Sequence, residues 1–175
     1  MMNLIQKFLS KDRSNKTQLR ANFSTYFYSL SEHQWILEHN CQGHFDKLFS
    51  HLPYGVLDAM MTKYPVVFIP SSMMKKNQDH AAFINNKIVV FPEFQKLLFS
   101  DKKAAVAYLA HELAFVLYEL EGMKGEPFMA EVEADKFVSD IGLTFELEEL
   151  LMMLDETIEK RLRLTYLTIN HFKDL

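Results

Sequence analysis

The sequence predicts a single α+β domain in which helices predominate, and three observations carry that prediction. Apolar residues recur at three- and four-residue spacing along most of the 175 residues, only 5 Gly and 5 Pro punctuate them, and two short β-branched runs lie near the middle. A chain of this length is of ordinary size for one domain and can bury a sizeable core. An apolar fraction of 49% with 13% aromatics excludes a disordered chain. No repeat or linker divides it, so the expected organisation is a helical N-terminal region over residues 1–63, a mixed core over 64–143 and C-terminal packing helices over 144–175.

Taken in order, Leu4, Phe8 and Leu9 make one short helical face, and Leu19, Phe23, Phe27 and Leu30 make the next. Ser31-Glu32-His33 reads as a helix start ahead of Trp35, Ile36 and His39, and Gln42-Gly43 breaks the pattern before a short helix with Phe45, Leu48 and Phe49. Pro53 and Gly55 mark a boundary, and Val56 to Lys63 is helical again. Tyr64-Pro65-Val66-Val67-Phe68-Ile69-Pro70 then changes to β-branched and aromatic residues, the first credible strand. A polar loop from Ser71 to His80 leads to Ala81-Ala82-Phe83-Ile84, the turn signal Asn85-Asn86, and Lys87-Ile88-Val89-Val90-Phe91-Pro92, which together predict a hairpin.

Helical pattern resumes from Glu93 to Phe99, and Ser100 is placed to cap a long helix from Asp101 to Glu121, ended by Gly122 and Gly125. The next helix is expected from Pro127 or Phe128 to Ile141, with Gly142 as its stop. From Thr144 onward one or two Leu- and Met-rich helices follow, with Glu159 four residues before Arg163 on one face.

Composition narrows the function classes. Net charge is -4 and the 19 basic residues are scattered, so no footprint for nucleic acid is present. The lone cysteine, Cys41, and the many methionines fit a reducing compartment, and the cytoplasm is the expected location. Gln6 and Lys7 break the first apolar stretch too early for a bilayer span or a signal peptide, so no membrane partner is expected.

The chemistry concentrates in two predicted helices. His111 and residue 115 lie four apart on one helical face, the spacing at which two histidines of an HExxH segment grip one zinc ion while the glutamate prepares its water. Here the residues are His111 and Glu112, with Phe115 in the second histidine's position. Glu131 and Asp135 are likewise four apart, so the first can approach a metal while the second accepts a hydrogen bond from the other ring nitrogen of His111. A metal-free alternative stands beside this one: His111, Glu131 and Asp135 as a buried hydrogen-bonded cluster locking two helices, with Phe115 packed over it.

With AHELA around His111 and EVEAD around Asp135, the chain resembles the gluzincin-type zinc metallopeptidases, the small ImmA-like peptidases among them. The resemblance covers roughly Ala81 to Leu143. It implies a zincin-like core, a short sheet whose edge binds substrate backbone, and two motif helices. It further implies His111 as first zinc ligand, Glu112 as catalytic general base and proton donor, Glu131 as the third ligand and Asp135 as the orienter of His111.

Phe115 departs from that pattern, and high-affinity zinc binding is therefore not expected unless another histidine enters: His80, or one of His33, His39, His44, His51 and His171. The sequence leaves three functional readings. The first is a catalytically impaired pseudo-peptidase that binds a peptide or protein; the second is an active zinc metallohydrolase with an atypical ligand set. The third is a helical interaction protein whose motifs are accidental, which an arrangement with His111 and Glu131 far apart would favour. Trp35 with His33 and His39, and the paired methionines, read as core and boundary positions.

Overall fold

The computed structural model describes residues 8, 16–73, 86–100, 102–123 and 126–171. Among these residues run α1 (Lys16–Ser29), a 3-10 turn (Ser31–His33), α2 (Gln34–Glu38), α3 (Gln42–His51), α4 (Tyr54–Thr62), β1 (Val67–Pro70) and a second 3-10 turn (Ser71–Met73). Then follow β2 (Lys87–Val90), α5 (Pro92–Leu98), α6 (Ala104–Leu120), α7 (Pro127–Asp140), α8 (Thr144–Met153) and α9 (Ile158–His171). The mostly helical α+β reading therefore holds.

The sheet is where expectation and structure part. β1 and β2 pair in parallel, with Val67 opposite Lys87 and Pro70 opposite Val90. The described partner of β2 is thus an earlier strand running in the same direction, not a hairpin arm. The expected arm Ala81 to Ile84 lies outside the described residues. β-branched content marks both strands correctly, but it carries no information on pairing direction, which tertiary contacts decide. Asn86, just before β2, sits at φ 61°, a left-handed conformation that asparagine tolerates, and its carbonyl accepts from the Val67 N–H at 2.9 Å.

Because Val67 turns its N–H toward β2, the neighbouring Phe68 turns its backbone groups to the opposite edge. Both are met by side chains. The Phe68 N–H donates to His33 Nε2 at 3.0 Å, and the Trp35 indole N–H donates to the Phe68 carbonyl at 3.0 Å. His33 in turn donates from Nδ1 to the Phe27 carbonyl at 2.7 Å and stacks on the Phe27 ring. Burial pushes the His33 pKa down, in keeping with a neutral ring that donates from one nitrogen and accepts at the other. Around this joint Phe23, Phe27, Phe45, Phe49 and Phe68 form an aromatic core with edge-to-face contacts, Phe23 on Phe49 at 4.8 Å and Phe45 on Phe68 at 5.3 Å. His33 and Trp35 are therefore core residues that close the outer edge of β1, in line with the core and boundary positions the sequence predicts for them.

α6 is the central helix, packed by α3, α5, α7 and α8. Every residue from Ala104 to His111 is buried, and its alanines let the neighbours approach closely. It begins at Ala104, three residues later than Ser100 and Asp101 predict. The Ser100 hydroxyl donates to the Leu97 carbonyl at 2.6 Å at the end of α5 and accepts from the Lys102 N–H at 3.4 Å, ahead of the first turn of α6. The helix ends where expected: Gly122 at φ 68° follows it, with the Met123 N–H reaching the Tyr118 carbonyl at 3.1 Å and the Gly122 N–H reaching Glu119 at 2.9 Å. α7 ends by the same six-to-one motif at Gly142, φ 85°, with Leu143 bonded to Val138 at 3.1 Å. These two stops fix the antiparallel return of α7 along α6, and α9 then packs back against α7 and α8. Among the described residues no helix is long and apolar enough to cross a membrane.

Candidate functional site

His111 projects from the middle of α6 toward α7, and its two ring nitrogens are both engaged. Nδ1 lies 2.9 Å from Asp135 Oδ1 and Nε2 lies 3.1 Å from Glu131 Oε2. The four-residue spacing on α7 puts both carboxylates on the same face, so the i, i+4 inference from sequence is realised in space. His111 and Glu131 are therefore neighbours, not the far-apart arrangement that would favour accidental motifs.

A fourth member comes from α9. Arg163 donates from Nε to Asp135 Oδ2 at 2.6 Å and from Nη2 to Asp135 Oδ1 at 2.7 Å, and its Nη1 lies 2.9 Å from Glu131 Oε2. Sequence reasoning assigned Arg163 only to Glu159, one turn earlier on its own helix. The available signal was the stripe Lys160, Arg163, Leu164 and Leu167, which sets two cations on the face that carries apolar residues inward.

The electrostatics follow from burial and pairing. Burial works against a charged His111, but its bonds to Asp135 and Glu131 outweigh that cost and push its pKa up to about 9. Asp135, 2% exposed, would be raised by burial, yet His111 and Arg163 hold it below the usual carboxylate range. Glu131 is lowered too, chiefly by the hydrogen bond with His111. An imidazolium and a guanidinium thus face two carboxylates, and the four groups are charge-balanced by themselves.

Glu112 stands apart. It is half-buried next to His111, makes no hydrogen bond to a described residue, and burial pushes its pKa up. One turn back on α6, the buried Tyr108 stacks on Phe94 of α5 with ring centres 3.9 Å apart, and burial, then the Glu112 charge, push its phenol up. Phe115 is half-buried and lines an apolar groove of about 520 Å³ with Tyr118, Glu119, Gly122, Met123, Pro127 and Ala130, between the C-terminal half of α6 and the start of α7.

These residues do not fit a catalytic zinc ion. Such an ion takes three protein ligands and keeps one open position. Phe115 offers no donor, and among the described residues no group of three or more His, Cys, Asp or Glu side chains is arranged to hold a metal. The atoms that would face an ion, His111 Nε2 and Glu131 Oε2, face each other, and the same oxygen also meets Arg163. Replacement histidines are committed elsewhere: His33 to Phe27 and Phe68, His44 to the Ser100 carbonyl at 2.9 Å and His51 to the Ile141 carbonyl at 2.9 Å. His39 lies against Phe99, while His80 and the side chain of His171 fall outside the described residues.

Comparison of the chain with protein-family models, with curated proteins and with solved structures gives no match.

Proposed function

We propose that this chain is a peptidase-like protein that binds a peptide or protein segment beside Phe115 and does not hydrolyse it. The carrying observation is that His111 has both nitrogens occupied by Glu131 and Asp135, while the position of a second ligand holds an aromatic ring that opens onto an apolar groove. A groove of about 520 Å³ is of a size that takes a small ligand or a peptide side chain or two. Glu119 is the acidic residue of its described lining, so a peptide with an apolar side chain and a basic neighbour suits it best.

The test is selection from a displayed peptide library, with tag-free protein and mass spectrometry of the bound peptides. Selected peptides should emerge intact, rich in apolar residues next to Lys or Arg, and should bind about 10-fold or more weakly to Met123→Arg, which brings a like charge into the groove. Selection that yields no peptide, or peptides indifferent to Met123→Arg, would sink the proposal.

A second reading, an active zinc metallohydrolase with an atypical ligand set, is favoured by Glu112: a half-buried carboxyl with a raised pKa and no hydrogen-bonded partner among the described residues is suited to a general base. Peptide cleavage that follows zinc content and disappears in Glu112→Gln would establish that reading over the first.

A further inference from the structure

We infer that Arg163 is the resident cation of this site: the guanidinium from α9 satisfies the carboxylates that a metallopeptidase leaves to its metal, so the cluster is closed by the chain itself. Of the two carboxylates the guanidinium meets, Glu131 is the one a metallopeptidase gives to its metal, and Asp135 is the one that orients His111. The inference extends the metal-free part of the proposed function and is independent of what the groove binds. Its basis is geometric. A planar guanidinium presents its donors as a fork, and three of its nitrogens are used here: two on the oxygens of Asp135 and one on Glu131 Oε2. That last oxygen is the atom a zinc ion would need.

Charge reinforces geometry. Asp135 and Glu131 bring two negative charges, and Arg163 sets a fixed positive charge against both. A divalent ion entering beside Arg163 would meet a fixed cation at short range in a poorly solvated site, where repulsion is weakly screened. Two features therefore separate this site from a zinc site, not one: the missing imidazole at position 115 and the added guanidinium at 163. Restoring the imidazole alone leaves the cation in place.

The experiment is a zinc competition titration against a chromophoric chelator, on tag-free wild type, Phe115→His, and Phe115→His combined with Arg163→Gln. Wild type and Phe115→His should compete weakly. The double variant should take up one equivalent about 10-fold or more tightly than Phe115→His, on the scale by which groups around a metal site tune affinity, and should lose it when His111→Ala is added. If the double variant is unfolded without metal, zinc should restore its helical circular dichroism. Phe115→His binding zinc as tightly as the double variant would overturn the inference. So would a folded double variant that gains nothing, or an unfolded one that zinc fails to rescue. One equivalent of tightly held zinc in the wild type would instead remove the metal-free reading on which the inference stands.

Discussion

Arg163 closes on Asp135 through two parallel bonds, Nε to Oδ2 at 2.6 Å and Nη2 to Oδ1 at 2.7 Å, across 28 positions of sequence. Asp135 Oδ1 also takes the His111 Nδ1 contact at 2.9 Å, so this one buried carboxylate joins α6, α7 and α9. The consequence is mechanical as much as electrostatic. α9 is held to the motif helices by a directional ion pair as well as by Leu164 and Leu167, and the imidazole of His111 is held in one orientation.

Removing Arg163 should therefore cost far more than removing a surface arginine. Arg163→Met keeps the aliphatic stem but leaves Asp135, at 2% exposure, without its two-pronged partner, and breaking a buried pair this way costs about 3–5 kcal/mol. Arg163→Lys should recover only part of that, since an ammonium cannot form the fork. Urea unfolding of the three proteins checks this, and a loss below roughly 1 kcal/mol in Arg163→Met would place the pair among weak surface bridges.

The cluster also sets a pH window. His111 rises from 6.5 to about 9 on folding, so the folded protein holds its proton more tightly than the unfolded chain. Its contribution is complete below the unfolded value and disappears as pH climbs through the folded one; at ~1.4 kcal/mol per unit it is of the order of 3 kcal/mol. Asp135 and Glu131 are shifted the other way, so their contribution is present above the ordinary carboxylate values and is lost on acidification. Stability should be flat near pH 6, decline between about pH 7 and 9, and decline again in acid. His111→Gln should flatten the alkaline limb; an unchanged alkaline slope in that variant would assign the titration to another group.

His33 offers a test of the other half of the molecule. His33→Phe preserves an aromatic ring to stack on Phe27 but deletes the donor to the Phe27 carbonyl and the acceptor of the Phe68 N–H. The Phe68 N–H left without its partner, with the Phe27 carbonyl keeping only the Leu30 N–H at 3.4 Å, should cost about 2 kcal/mol, and hydrogen exchange at the Phe68 amide should accelerate along with the global loss. A variant as stable as wild type would mean that β1 does not depend on its capped edge.

Much of this site is legible in the sequence, and the part that is not has a physical reason. His111, Glu131 and Asp135 can be grouped in advance because helical spacing sets the faces of Glu131 and Asp135, and a short turn brings α7 back along α6. Arg163 cannot, because Glu159 offers a sufficient local partner at i, i+4 and only the approach of α9 to α7 makes Asp135 the stronger one. The strands show the same limit: composition marks Val67 to Pro70 and Lys87 to Val90 as strands, but their parallel pairing depends on non-local contacts. Ser100 is a local near miss: its hydroxyl accepts from the Lys102 N–H, but the helix begins only at Ala104.

Glu112 is the residue at which stability and function pull apart. Its folded pKa is raised by burial, so the unfolded chain ionises more readily, and at every pH above the ordinary glutamate value the carboxyl subtracts from stability. No hydrogen bond to a described residue offsets that cost. Glu112→Gln removes the charge while keeping shape and polarity, and should raise the melting temperature at pH 7, with the gain vanishing near pH 4 where glutamate is protonated in both states. Thermal melts of both proteins across that range measure it. If the groove binds peptides without hydrolysis, their affinity should change less than about two-fold in this variant, since Glu112 lies a turn beyond Phe115 and outside the groove lining. A destabilised Glu112→Gln would mean that the carboxylate is engaged in the folded protein, and would redirect attention to what it holds.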